Sequence, residues 1–144
     1  MTLEIRAAVI TDAESLHQVN AEELHYDYAL AETQNRLAYI LTKDWQKIFV
    51  ASINGEFAGY VQVSEYLETY GDKMANIMGL AVLSRYQGEG VGKALMHQAE
   101  LWAQEIGAKG VRLNSGEERK EAHLFYEHIG YTKEKMQAKF KKVF

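Results

Sequence analysis

Gln87-Gly88-Glu89-Gly90-Val91-Gly92-Lys93 is the segment of this chain whose residue types and spacing most directly imply chemistry. Glycines at alternate positions let a backbone turn sharply and approach a ligand closely. An apolar run precedes the segment and an amphipathic one follows it. The first amides of a helix starting here would lack intrahelical partners, and the helix dipole adds positive charge at that end. Together they make an anion site whose natural guest is a phosphate or pyrophosphate. Two phosphate loops fit poorly. A Walker loop ending on Gly92-Lys93 needs Gly at 87 and Ser or Thr at 94, where the chain has Gln87 and Ala94. A dinucleotide fingerprint needs a third glycine where Lys93 stands, and an early strand of a parallel sheet before it. A glycine-rich turn without a ligand is the bland alternative.

The elements that must position this loop follow from periodicity. Leu3–Val9 reads as a strand. Thr11 or Asp12 then caps a helix running to about Leu24, with Glu14 completing a capping box. A second helix spans about Glu32–Leu41, with Leu37, Ile40 and Leu41 on one face. Lys47–Ser52 and Phe57–Tyr66 read as strands joined by an Asn54-Gly55 hairpin turn, with Val61 and Val63 sharing a face. Lys73–Leu83 is a mostly apolar strand after a Gly71-Asp72 turn. Gly90–Ile106 is the strongest helix, with Val91, Leu95, Ala99, Trp102 and Ile106 at helical spacing and Gly107 as its stop. Val111 and Leu113 mark another strand, Glu121–His128 a short helix closed by Gly130, and Tyr131–Phe144 a final strand or hairpin edge protected by its lysines. The order β-α-α-β-β-β-α-β-α-β predicts an α/β domain with a mixed sheet.

The 144 residues suit a single domain, 1–144, with one sizeable core. Without cysteine there is no disulfide, thiolate nucleophile or cysteine metal site, and without proline no cis-prolyl turn. The formal net charge of −4 disfavours nucleic acid as a partner and suits a cationic substrate. No signal peptide or spanning run is evident, so no membrane association and a cytoplasmic location are expected. The histidines show no metal spacing, and no metal is expected.

Three segments, in order, resemble the GNAT N-acetyltransferases. Gln87-Gly88-Glu89-Gly90-Val91-Gly92 is similar to that family's Q/R-x-x-G-x-G/A loop. Leu80-Ala81-Val82 is similar to its L-x-V strand end, and Ala122–Tyr131 to its A-x-x-x-Y-x-x-x-G-[FY] segment. The resemblance implies an α/β (α+β) fold: a mixed, mostly antiparallel sheet splayed between the fourth and fifth strands and flanked by about four helices. It implies acetyl-CoA as co-substrate, with the backbone of Leu80, Ala81 and Val82 on the pantetheine arm. The amides of Gln87, Gly88, Glu89, Gly90, Val91, Gly92 and Lys93 would hold the pyrophosphate, and Arg119 would reach a CoA phosphate or cap its helix. The Leu80 amide would stabilise the oxyanion, and Tyr126 would act as general acid towards the leaving thiolate or else serve as a core aromatic.

The sequence departs from that pattern at three places. Gly79 stands where some members carry a glutamate, which leaves Glu65 and Glu68 as bases acting through water; Asp72 is a third carboxylate near the same strand end. Ser84 stands where Pro is frequent, and Arg119 where Asn is frequent. The segment from Ser115 to Tyr126 resembles the branch acting on small amines such as aminoalkylphosphonates and aminoglycosides. Glu22, Glu23, Tyr26, Asp27 and Tyr28 gather carboxylates and aromatics suited to a cationic amine, or form a solvated acidic loop. With no cysteine relay, acetyl transfer to a primary amine is expected to be direct. The rivals are a non-catalytic acyl-CoA-binding sensor, an acetyltransferase of protein N-termini or lysines, and a nucleotide-binding protein. Homodimers are common among similar proteins.

Overall fold

Asn54 and Gly55 adopt successive positive φ angles of 51° and 84°, the geometry that matches a two-residue hairpin to the twist of its strands. They join β2 (Gln46–Ile53) to β3 (Glu56–Tyr66). The computed structural model describes residues 2–144 and places these strands at the centre of a five-stranded sheet of order β1-β2-β3-β4-β5. β1 is Leu3–Ala7, β4 Met74–Val82 and β5 Val111–Leu113. The first three pairings are antiparallel, and only β4–β5 is parallel. The expected mixed, mostly antiparallel α/β (α+β) sheet is therefore present. The chain divides into two compact units, one ending at Leu113 and one comprising Asn114–Phe144.

Strand alternation sends successive side chains to opposite faces. One face carries Ile48, Val50, Tyr60 and Ala81, which pack with Leu16, Val19, Leu37 and Ile40 of α1 (Ala13–Leu24) and α2 (Leu30–Ile40). The other carries Phe49, Ala51, Val61, Val63, Ala75 and Ile77, all buried. α3 (Val91–Glu105) packs against β2, β3 and β4 with Val91, Leu95, Met96, Ala99 and Trp102 buried. Each such aliphatic side chain contributes roughly 1.5–3 kcal/mol on burial, so these stripes, more than helix propensity, hold the helices. The second unit contains α4 (Lys120–His128), stopped near Gly130 at φ 102°. Among the described residues no helix is long and apolar enough to cross a membrane.

Three details correct the sequence reading. The segment 132–144 forms no strand or hairpin, and its lysines protect no edge there. Leu41 lies beyond α2 and is exposed. Asp12 stands at the N-cap of α1, but its side chain makes no capping bond there. It ends a 3-10 turn, Ile10–Asp12, and accepts from Arg6 Nη1 and Nη2 at 2.7 and 2.8 Å and from the Val9 amide at 2.8 Å. Two bonds to a guanidinium and a third to the Val9 amide outweigh a single bond to an amide of α1. The Arg6 bond holds the Asp12 carboxyl below its ordinary 3.8. Its contribution is therefore present above that pH and lost as pH falls through the depressed value. Asp12→Ala is expected to lower stability by about 1–3 kcal/mol at pH 7, towards the lower end because Arg6 is half exposed. Urea melts from pH 7 down to 3 should show a shallower acid loss in the variant.

Candidate active site

β5 pairs with β4 only at Ala75, Ile77 and the Asn76 between them, so β4 from Met78 to Val82 has an outer edge without a strand partner. This is the splay between the fourth and fifth strands. A bulge decides what that edge offers. Val63 pairs with Ile77 and Gln62 with Gly79, so Met78 is an extra residue. The Ala75 amide donates to Gly110 on the β5 side at 2.9 Å, whereas the Leu83 amide donates to Ala58 on the β3 side at 2.8 Å. With parity reversed at Met78, alternation turns the backbone groups of Leu80 and Val82 outward and those of Ala81 inward to β3. Without the bulge, the Leu80 amide would point into the sheet. Of the three strand-end residues, two therefore face the open edge, and Ala81 serves the core.

The strand end leads into the glycine loop through a 3-10 turn, Ser84–Tyr86. Gln87 Nε2 donates to the Val82 carbonyl at 3.1 Å and fastens the loop to the strand. Gly88 and Gly90 have φ of 81° and 84°. Gly90 is the N-cap of α3, and no side chain caps this end or adds an acid to its first turn. The amides of Val91, Gly92 and Lys93 thus open a 15-residue helix beside an exposed loop that includes Glu89. Lys93 is also exposed. The chemistry of this arrangement suits an anion at the helix start and an extended, amide-bearing chain along the neighbouring strand edge.

Ser84, where Pro is frequent in the resembling family, has a partner that Pro could not satisfy. Its amide donates to Glu23 Oε2 at 2.9 Å, and its hydroxyl bonds both Glu23 oxygens at 2.9 and 2.8 Å. Glu23 is thereby used to tie α1 to the turn before the loop. Glu22 instead accepts from Gln18 on α1 at 2.9 Å. Tyr26, Asp27 and Tyr28 do come together. With His17, Asn20 and Thr33 they line a cleft of about 260 Å³ between α1, its connection and α2. His25, at φ 61°, makes the left-handed stop that swings the chain into this connection.

A second cleft, of about 350 Å³, has Arg36, Tyr39 and Trp45 on its rim and Gln46, Gln62, Ser64 and the bulge residue Met78 among its lining. Gln46 and Ser64 are buried, and Gln62 Nε2 donates to Gln46 Oε1 at 3.1 Å. Tyr60 links Asn20 of the first cleft to β3, whose Gln62 and Ser64 line the second. Its hydroxyl donates to Asn20 Oδ1 at 2.6 Å. A Cβ on Gly79 would meet that hydroxyl at 3.2 Å. Tyr60 therefore crowds the point from which any side chain at 79 would start. Burial pushes the Tyr60 hydroxyl up to about 12, so it remains a donor near neutrality. Sequence reasoning missed this group. Its signal was the polar alternation of Tyr60, Gln62 and Ser64, opposite the recognised Val61 and Val63.

The candidate bases sit apart from each other. Glu65 shares the face of Val61 and Val63 and pairs with Lys73 at 2.8 Å. Glu68 accepts from the hydroxyls of Tyr66 and Tyr70, beyond the β3 face that lines the second cleft. In the second unit, the half-buried Tyr126 ring meets Phe125 and Tyr131 edge-on at 5.2 and 6.1 Å between centroids. Burial raises its hydroxyl above the ordinary 10, against the opposing charge of the exposed Arg119. Arg119 is the N-cap of α4.

Comparison with known proteins bears on this arrangement. The model of the acetyltransferase (GNAT) family matches residues 10–131. An uncharacterised N-acetyltransferase of Archaeoglobus fulgidus is 30% identical over 131 residues, covering 86% of this chain and 89% of the relative. The aminoalkylphosphonate N-acetyltransferase of Salmonella typhimurium is 26% identical, covering 89% and 84%. A solved structure described as a transcriptional regulator of Bacillus halodurans superimposes with a TM-score of 0.88 at 25% identity, covering 98% of this chain and all of that one. With the open β4 edge, the glycine loop and a family match over most of its length, this chain belongs to the acetyltransferase (GNAT) family and is an N-acetyltransferase.

Proposed function

We propose that this enzyme transfers the acetyl group of acetyl-CoA directly to the primary amine of a small molecule, as one domain acting over residues 1–144. The observation that carries the reading is the continuity of the bulged β4 edge, with its outward Leu80 and Val82, and the uncapped start of α3. The name of the Salmonella relative, an aminoalkylphosphonate acetyltransferase, supports a small acceptor.

The residues divide the reaction as follows. Val82 and Leu80 pair with the pantetheine arm, and the amides from Gln87 to Lys93 hold the pyrophosphate, with Lys93 and Arg119 adding charge. The amine must lose a proton before its nitrogen attacks the thioester carbon. Glu68, on the side of the sheet that bears the clefts, is the better placed of the two carboxylates to take that proton through water. The Leu80 amide donates to the oxyanion. As the carbon–sulfur bond breaks, Tyr126 gives its proton to the departing sulfur, and the remaining extra proton on the new amide nitrogen leaves through water and restores the tyrosine hydroxyl. The clefts of α1 and α2 receive the acceptor.

Release of CoA thiol across a panel of small primary amines, peptide N-termini and peptide lysines tests this. Turnover by small amines is expected. Turnover confined to peptides would move the acceptor to protein amines. Acetyl-CoA binding without turnover would point to a sensor, and stabilisation by ATP but not acetyl-CoA to a nucleotide site.

A further inference from the structure

Asn20 has two arms, and the fold has committed one of them. Tyr60, held protonated by its burial, has a proton to give. The acceptor is Asn20 Oδ1 at 2.6 Å. The planar amide is thereby oriented, and Nδ2 becomes the arm left for the cleft that Asn20 lines with Tyr26, Asp27 and Tyr28. Among the described residues no protein acceptor takes a hydrogen bond from Nδ2, and the group is not sealed from solvent. A donor fixed in direction, a carboxylate and two aromatic walls share one small cavity. An ammonium is attracted to Asp27 and the rings. What the donor lacks is an oxygen.

We propose that Asn20 Nδ2 is a specificity-determining donor that selects acceptor amines carrying a hydroxyl or comparable oxygen a few atoms from the nitrogen, and that Tyr60 is the positioning residue that aims it. This deepens the acetyltransferase reading and rests on it. Gly79 belongs to the same device. Its missing side chain leaves room for the Tyr60 hydroxyl, which a Cβ would approach to 3.2 Å.

The test compares 3-amino-1-propanol with n-butylamine, which has a methyl in place of the hydroxyl. Binding is followed by the backbone amide resonances of Tyr26, Asp27 and Tyr28, which every variant retains, and turnover by CoA thiol release in the same samples. The wild type should bind the amino alcohol at least about threefold more tightly, the scale of one net hydrogen bond. The preference should appear in KM with kcat nearly equal for the two. Tyr60→Phe should lose it. Asn20→Asp, a substitution on a half-buried helix position, keeps an acceptor for Tyr60 but replaces the donor with a carboxylate. It should abolish or invert the preference while the protein stays folded. Equal binding of the two amines by wild type, no binding of either, or a preference surviving Asn20→Asp would overturn the proposal. A preference seen in the resonances without thiol release would instead count against acetyl transfer and leave the Asn20 assignment standing.

Discussion

Gly90→Ala is expected to weaken acetyl-CoA binding by about ten- to a hundredfold while lowering stability by only about 1–2 kcal/mol. Gly90 holds φ at 84°, where an L side chain is strained. No atom lies within 4 Å of the Cβ that alanine would add. The cost is therefore conformational rather than a clash. The chain either keeps the strained angle or relaxes it. Relaxation turns the first amides of α3 away from the position they hold in common. Each amide–phosphate bond is charge-assisted and worth about 1.5–3 kcal/mol, and losing one gives the stated change in affinity. Lys93→Ala removes an exposed point charge and leaves the amides in place, so its effect should be several-fold smaller. Calorimetric titration with acetyl-CoA, beside a thermal melt of each variant, measures both. Unchanged affinity in Gly90→Ala would remove the loop from cofactor binding.

The loop was legible because its information is local. Alternating glycines before an amphipathic run specify a turn and a helix start without any distant partner. Asn54-Gly55 and the Gly107 stop at φ 82° are of the same kind. Asp12 was misread because capping is also a local rule, and Arg6, six residues back, offered two stronger bonds. Glu23 looked like part of a cation site, yet its partner Ser84 lies 61 residues away. The bulge at Met78 has no sequence signal at all, since it is a mismatch between two strands, yet it decides that Leu80 rather than Ala81 faces the open edge. Tyr60 and Asn20 are 40 residues apart and meet only when α1 lies on the sheet. The tail shows the converse error. Tyr131–Phe144 reads as a final strand or hairpin edge guarded by lysines, but Met136, Phe140 and Val143 are exposed and the segment pairs with no strand among the described residues. Composition alone cannot supply the ladder a strand needs.

Tyr126→Phe should lower kcat by about a hundredfold or more, within the range of a lost general acid, and change the acetyl-CoA dissociation constant by less than about threefold. The variant keeps the ring and loses only the hydroxyl, so the edge contacts with Phe125 and Tyr131 persist and the fold of α4 has no cause to change. The chemistry asks for a group that is protonated when the carbon–sulfur bond breaks. Burial raises the Tyr126 hydroxyl above its ordinary 10, with Arg119 pulling the other way. The sign is clear: the acid form is present at neutral pH and is depleted only as pH rises beyond 10. Between pH 7 and 9 the kcat profiles of the wild type and Tyr126→Phe should therefore run parallel, separated by a constant factor. Any rise of rate with pH in that window belongs to deprotonation of the amine or its base and should survive in the variant. Convergence of the two profiles below pH 9 would assign Tyr126 a lower pKa than its burial allows. Equal kcat throughout would make it a core aromatic and leave the leaving sulfur to be protonated by water.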